Sequence, residues 1–136
     1  MPLPLVLRLL GAVAMLAGLL HLGLGPGADV MLGAHIPPQV VADPVLDSQN
    51  RFYGVSFIGY GALLLLCATD IRKYSAVLRI VGAFVFLGGL ARVLVIYLRG
   101  LPSVPVLGLT IIELVGVPLL LGWHARVKSK EESVLF

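Results

Sequence analysis

Two residues of opposite charge stand where charge is hardest to place. Arg92 and Glu113 each lie inside a long apolar stretch. An ionised side chain in the middle of a membrane helix costs about 2.5–3.5 kcal/mol on insertion scales, so it tends to face the interior and another polar group. Arg92 precedes Arg99 by seven residues and Glu113 follows Val104 by nine. At ~1.5 Å per residue, those offsets put them ~10 Å and ~13 Å from the intervening turn. They are almost symmetric about Pro102, so a guanidinium and a carboxylate reach one level on adjacent antiparallel helices. The spacing predicts an Arg92–Glu113 ion pair. Thr110 and Gly116 fall on or near the face of Glu113, and Gly88 and Gly89 fall behind Arg92, supplying a hydroxyl and space.

A second group of polar residues belongs to the same half of the chain's thickness. Asp47, Gln49, Asn50 and Arg51 cluster at the start of one apolar segment, and His21 lies about one turn from the end of another. Asp47 and Arg51 are spaced i, i+4 and can pair on one helix face. Two readings of these residues stay open. The pairs fix helix register, as buried polar contacts in membrane bundles do for ~0.6 kcal/mol each. Alternatively, Arg51, Arg92, Glu113, Asp47, Asn50 and His21 line a small polar pocket that holds a lipid headgroup or another polar moiety. His21 alone reads as a satisfied interfacial histidine rather than a base.

Catalytic chemistry finds no foothold. No serine has a plausible base near it, and there is no HExxH motif, no carboxylate pair at working distance and no phosphate-binding loop. Cys67 is the single cysteine, it cannot close an intramolecular disulfide, and it reads as an inert thiol in an apolar run. No Cys/His spacing suggests a metal site, and no cofactor is implied. The expectation is a protein that is not an enzyme. An alternating-access transporter is disfavoured too, because no inverted repeat or doubly broken helix is visible.

The elements that must position these residues follow from composition. Of 136 residues, 59% are hydrophobic and 12% charged, and the mean hydropathy is +1.03. A soluble domain needs a more charged surface. The apolar residues also run in blocks rather than at amphipathic spacing, so lipid is the indicated solvent. Segments at about 5–24, 47–69, 76–98 and 104–123 each approach the ~20 residues that cross a ~30 Å hydrocarbon core. They must be helices, because lipid cannot satisfy an open backbone. The fold class is therefore all-α: a polytopic membrane protein with one domain, an antiparallel bundle of four transmembrane helices. Asp47 or Ser48 is the expected N-cap of the second helix. Pro118 should free the carbonyl of Leu114 and kink the fourth. The first segment is read as a retained helix, since its apolar run exceeds a signal-peptide core and no small-x-small site follows.

The charge of +3 does not indicate nucleic acid, because the basic residues sit at helix ends and not in a stripe with aromatics. Seven (Arg8, Arg72, Lys73, Arg79, Arg126, Lys128 and Lys130) fall on the side of the chain ends, whereas two (Arg51 and Arg99) fall on the other. The positive-inside rule then places both termini, including a tail at 124–136, in the cytoplasm, with a bacterial inner membrane as the setting. Turns at 70–75 and 99–103 make the second, third and fourth helices sequential neighbours. The segment 26–46 is long and proline-rich, and its apolar Val30, Met31, Leu32 and Ile36 suit a partial cap on the non-cytoplasmic surface. Gly11, Gly18 and Gly25, and likewise Gly54 and Gly61, recur every seven residues, which marks close-packing faces within the bundle or in a homodimer.

Four stretches carry a family resemblance: Asp47-Ser48-Gln49-Asn50-Arg51-Phe52-Tyr53-Gly54, Phe86-Leu87-Gly88-Gly89-Leu90-Ala91-Arg92, Leu101-Pro102-Ser103 and Glu113-Leu114-Val115-Gly116-Val117-Pro118. In order and spacing the chain resembles, from about Leu9 to Arg126, the bacterial membrane family termed domain of unknown function 4345. The resemblance implies four helices and singles out Arg51, Arg92 and Glu113, and it implies no activity. A fainter similarity, through Arg51-x-x-Gly54 and Leu66-Cys67-Ala68-Thr69-Asp70-Ile71, is to ergosterol biosynthetic protein 28, a scaffold for sterol-demethylating enzymes. A general likeness to DoxX-like membrane proteins is fainter still, and neither transfers a function. The leading functional expectation is an assembly or scaffold role with other membrane proteins or a second copy as partner. The alternative is binding or transfer of a membrane lipid or another polar-headed molecule.

Overall fold

The computed structural model describes residues 2–132, with side chains through Val127. Among them every regular element is helical: α1 (Leu3–Leu24), α2 (Gly27–Met31), α3 (Pro38–Val41), α4 (Pro44–Thr69), α5 (Ser75–Arg99), α6 (Val104–Ile111), a π-helical turn at Ile112–Gly116, and α7 (Val117–Glu132). Four spans, Leu3–Leu24, Pro44–Thr69, Ser75–Arg99 and Val104–Val127, are long and apolar enough to cross a membrane. The protein is an all-helical integral membrane protein.

Three boundaries differ from the sequence reading for local reasons. Helix α4 begins at Pro44, not at Asp47, because Asp43 is the N-cap. Its Oδ1 accepts from the backbone N–H groups of Val45 at 2.9 Å and Leu46 at 3.0 Å, and proline at the first helical position needs no N–H partner. The segment 26–46 is not uniformly loop but carries α2 and α3. The fourth span runs past 123 into α7, which continues to Glu132, so only 133–136 of the expected tail lie outside the described residues. Pro118 is answered by a π turn. The N–H of Val117 donates to the carbonyl of Ile112, five residues back, and the widened turn accommodates the ring where it would otherwise meet the carbonyl of Leu114.

The helices pack as two antiparallel pairs. Helix α1 lies along α4 over most of its length, whereas α5 packs on α6, the π turn and α7. Little hydrophobic force acts between helices in lipid, so closeness must come from small residues. At the first seam Gly18 faces Gly54 and Gly11 faces Gly61. A Cβ built on Gly54 would stand 2.6 Å from the Leu22 nitrogen and 2.7 Å from the Gly18 oxygen. The glycine repeat therefore serves packing within this chain.

The two pairs join at the end that holds the α4–α5 turn, called here the Asp70 end. Leu3, Leu7, Cys67, Ala68 and Leu78 form a buried core there, with Leu64, Ile71, Tyr74, Val77, Leu120 and Leu121 packed against it. Polar groups close that end as well. The Oδ1 of Asp70 accepts from the N–H groups of Arg72 and Lys73, and buried His124 brings its Nε2 to 3.3 Å from the Ile71 carbonyl. Polar groups are thus not confined to the half that holds Arg92 and Glu113, for His124 and Ser75 are buried at the Asp70 end.

The seam makes a quantitative prediction. Gly54→Val should lower stability by about 1–3 kcal/mol, the usual cost of overpacking. Gly59→Val, at a position with open space around it, should leave the protein near wild type. Thermal unfolding of both variants in the same detergent checks this.

Candidate functional site

At the opposite, Pro102 end, each polar side chain has a traceable position. Arg92 comes from the last third of α5 and Glu113 from the π turn. The Nε of Arg92 donates to Oε2 of Glu113 at 2.8 Å, so the predicted ion pair is present. Gly89, one turn before Arg92, makes this approach feasible, since a Cβ there would stand 2.9 Å from the Cβ of Glu113. Gly88, by contrast, faces open space, so only one of the two glycines supplies room. Thr110 is buried but does not reach Glu113, because its hydroxyl donates to the Val106 carbonyl one turn back at 2.9 Å.

The pair is satisfied on one side only. Nε is one of five guanidinium donors, and the terminal nitrogens of Arg92 make no hydrogen bond or ion pair with the described residues. The Arg92 side chain is 33% exposed and that of Glu113 15%. Arg92 lines a cavity of about 230 Å³ with Ala91, Val95, Ile96, Pro102 and Val106, open on one side. A second cavity of about 550 Å³ lies above it under the cap, bounded by Asp29, Leu32, Gly33, Ala34, His35 and the turn residues Leu101 to Ser103. Pro102 and Val106 belong to both walls, so the two cavities are neighbours, and the groove named below is the one that Arg92 lines.

The remaining candidates are built into the α1–α4 pair and its connection to the cap. Arg51 donates through Nε to Asp47 Oδ2 at 2.9 Å. Its Nη1 donates to the carbonyls of Leu22 at 2.6 Å and Gly23 at 3.3 Å, the free carbonyls at the end of α1. A cation there offsets the negative end of the helix dipole. Arg51 and Asp47 are therefore committed to a helix cap. His21 brings Nδ1 to 2.8 Å from the Ala17 carbonyl and Nε2 to 3.5 Å from Asp29 Oδ1. Asn50 donates to Asp29 Oδ2 at 2.7 Å. The six sequence candidates thus separate into a cap clamp (Asp47, Arg51), a cap latch (His21, Asn50) and the groove pair (Arg92, Glu113).

Sequence reasoning missed two residues. Asp29 is the hub of the latch, and the signal for it was an acidic residue in an otherwise apolar five-residue helix. Ser103 ties the α5–α6 turn to the cap, its hydroxyl donating to the Leu32 carbonyl at 2.7 Å. No signal marks a serine for a backbone partner 71 positions away. No group of three or more His, Cys, Asp or Glu side chains among the described residues could hold a metal ion.

The ion pair can be weighed directly. Arg92→Gln and Glu113→Gln should each lose about 1–3 kcal/mol, the cost of leaving one partner unsatisfied. The double variant should lose less than the sum, with a coupling of about 0.5–3 kcal/mol. Reversible unfolding in mixed micelles measures all four corners of the cycle.

Comparison with known proteins gives one positive result. A family described as Domain of unknown function (DUF4345) matches residues 3–124. No curated protein matches and no solved structure matches, so the fainter likenesses to ergosterol biosynthetic protein 28 and to DoxX-like proteins gain no support.

Proposed function

The chain belongs to the family described as Domain of unknown function (DUF4345), and from that premise we propose that it is a non-enzymatic binding protein for a membrane amphiphile, held at Arg92 and Glu113. One observation carries the reading: Arg92, a cation in a transmembrane helix whose terminal nitrogens have no partner among the described residues, lines a cavity otherwise walled by apolar residues. A pure register pin would bury both partners and spend those donors within the protein. Arg92 keeps four N–H groups beyond Nε, and a mostly apolar lining with a few polar groups is the make-up of small-ligand sites. Binding, rather than the scaffold role, is the reading that this groove favours.

The setting we propose is a bacterial inner membrane with both termini in the cytoplasm. Seven basic residues against two support it under the positive-inside rule. Exposed Phe52, Tyr53 and Tyr97 at the Pro102 end suit an aromatic belt at the opposite interface. A fluorescent protein fused after Phe136 should then fluoresce, and a periplasmic reporter at the same point should stay inactive.

Native mass spectrometry of the gently solubilised protein tests the binding role. Wild type should carry about one bound lipid per chain, and Arg92→Gln, folded by circular dichroism, should lose most of it. Lipid retention in that variant sinks the reading. A reproducible protein partner with no bound lipid would return the argument to an assembly role.

A further inference from the structure

The depth and the charge of the groove together narrow what it holds. Helix α5 has 25 residues, or about 37 Å at ~1.5 Å each, against a ~30 Å hydrocarbon core. A helix of this length standing upright and centred overhangs the core by about 4 Å at each end. Arg92, seven residues before the end of α5, lies ~10 Å below that end, and hence ~6 Å inside the hydrocarbon. Phospholipid phosphates stay in the interfacial layer above this level. The site is also electrically balanced. Arg92 is paired with Glu113 at 2.8 Å, so an anion attracted by the guanidinium meets a carboxylate directly behind it. What the site offers is hydrogen bonding from a cation whose charge is already countered: Arg92 lines the cavity and has terminal N–H donors to spare, while Glu113 stands outside the cavity lining as its counter-charge. Ala91, Val95, Ile96 and Val106 line the same cavity as Arg92 with hydrocarbon.

We infer that the ligand is an amphiphile with a compact, uncharged oxygen-bearing head, a hydroxyl or carbonyl, whose apolar body lies along α5 and α6. This rests on the binding role proposed above and specifies its ligand class. An uncharged head can sink below the interface without dehydrating an ion, and its oxygen accepts from Arg92 without the repulsion that an anionic head would meet from Glu113.

Defined lipids added to the delipidated, purified protein and followed by native mass spectrometry distinguish the possibilities. The probes are dioleoylglycerol (hydroxyl and ester carbonyls), a prenylated benzoquinone (ring carbonyls), dioleoylphosphatidylglycerol and dioleoylphosphatidylethanolamine. At least one of the first two should bind tenfold or more tightly than either phospholipid, and which one does so separates the hydroxyl source from the quinone source. Glu113→Gln leaves the cation unbalanced and should raise phosphatidylglycerol affinity at least severalfold while uncharged heads gain nothing comparable. Phosphatidylglycerol or phosphatidylethanolamine binding wild type as tightly as the uncharged probes, with dependence on Arg92, overturns the ligand class and leaves the binding role standing. Absence of binding by all four overturns both. The wild-type series decides the matter even if Glu113→Gln does not fold.

Discussion

Helices in lipid have almost no hydrophobic reason to stay together, and the close backbone contact of α1 with α4 is this protein's answer. Glycine faces glycine at Gly18–Gly54 and Gly11–Gly61, so dispersion between main chains replaces the side-chain burial that organises a water-soluble core. The end of α1 is therefore delivered to a fixed place beside α4, within reach of Arg51. That guanidinium bonds to Leu22 and Gly23 only because the seam holds the two helices at this distance. The latch of His21, Asp29 and Asn50 is built on the same foundation, since it joins the last turn of α1 and the first helix after it to the start of α4.

The second pair is organised differently. Gly89 allows one close approach, and the π turn shifts the register at the position that carries Glu113. Pro118 follows the widened turn by two residues, so a backbone restriction and the Glu113 side chain share one short stretch of the helix. Such insertions are frequent at functional sites because they redirect side chains without interrupting the helix. One cavity lies where this pair and the cap face each other, and the neighbouring one around Arg92 takes its apolar walls from α5, α6 and the turn between them.

Much of this was legible in the sequence because the membrane imposes simple rules. Run length gave four spans, and seven-residue glycine spacing gave the seam face. Symmetry about Pro102 gave the Arg92–Glu113 pair, since a tight antiparallel turn fixes the relative height of its flanks. The limits are equally physical. Asp43 was passed over as a cap because the apolar run itself starts later, although Asp-Pro is a good helix opening. The separation of Arg51 from Arg92 could not be read, because spacing reports depth along one helix and not the lateral arrangement of helices. Ser103 stood in the Leu101-Pro102-Ser103 stretch, but its tie to the cap could not be read because its partner is a main-chain carbonyl, which carries no sequence identity.

The two ends of the molecule differ in how the pairs are joined. At the Asp70 end they share a hydrocarbon core drawn from all four spans. At the Pro102 end, the hydrogen bond from Ser103 to Leu32 is the one that crosses between the pairs among the described residues. Such a bond contributes about 0.5–1.5 kcal/mol net, one to three times the thermal energy. The seam, the helix cap and the ion pair each lie within a pair, so spreading the pairs at that end breaks none of them. The molecule is hinged like a clothes-peg, sprung at the core and closed at its jaws by a single hydroxyl.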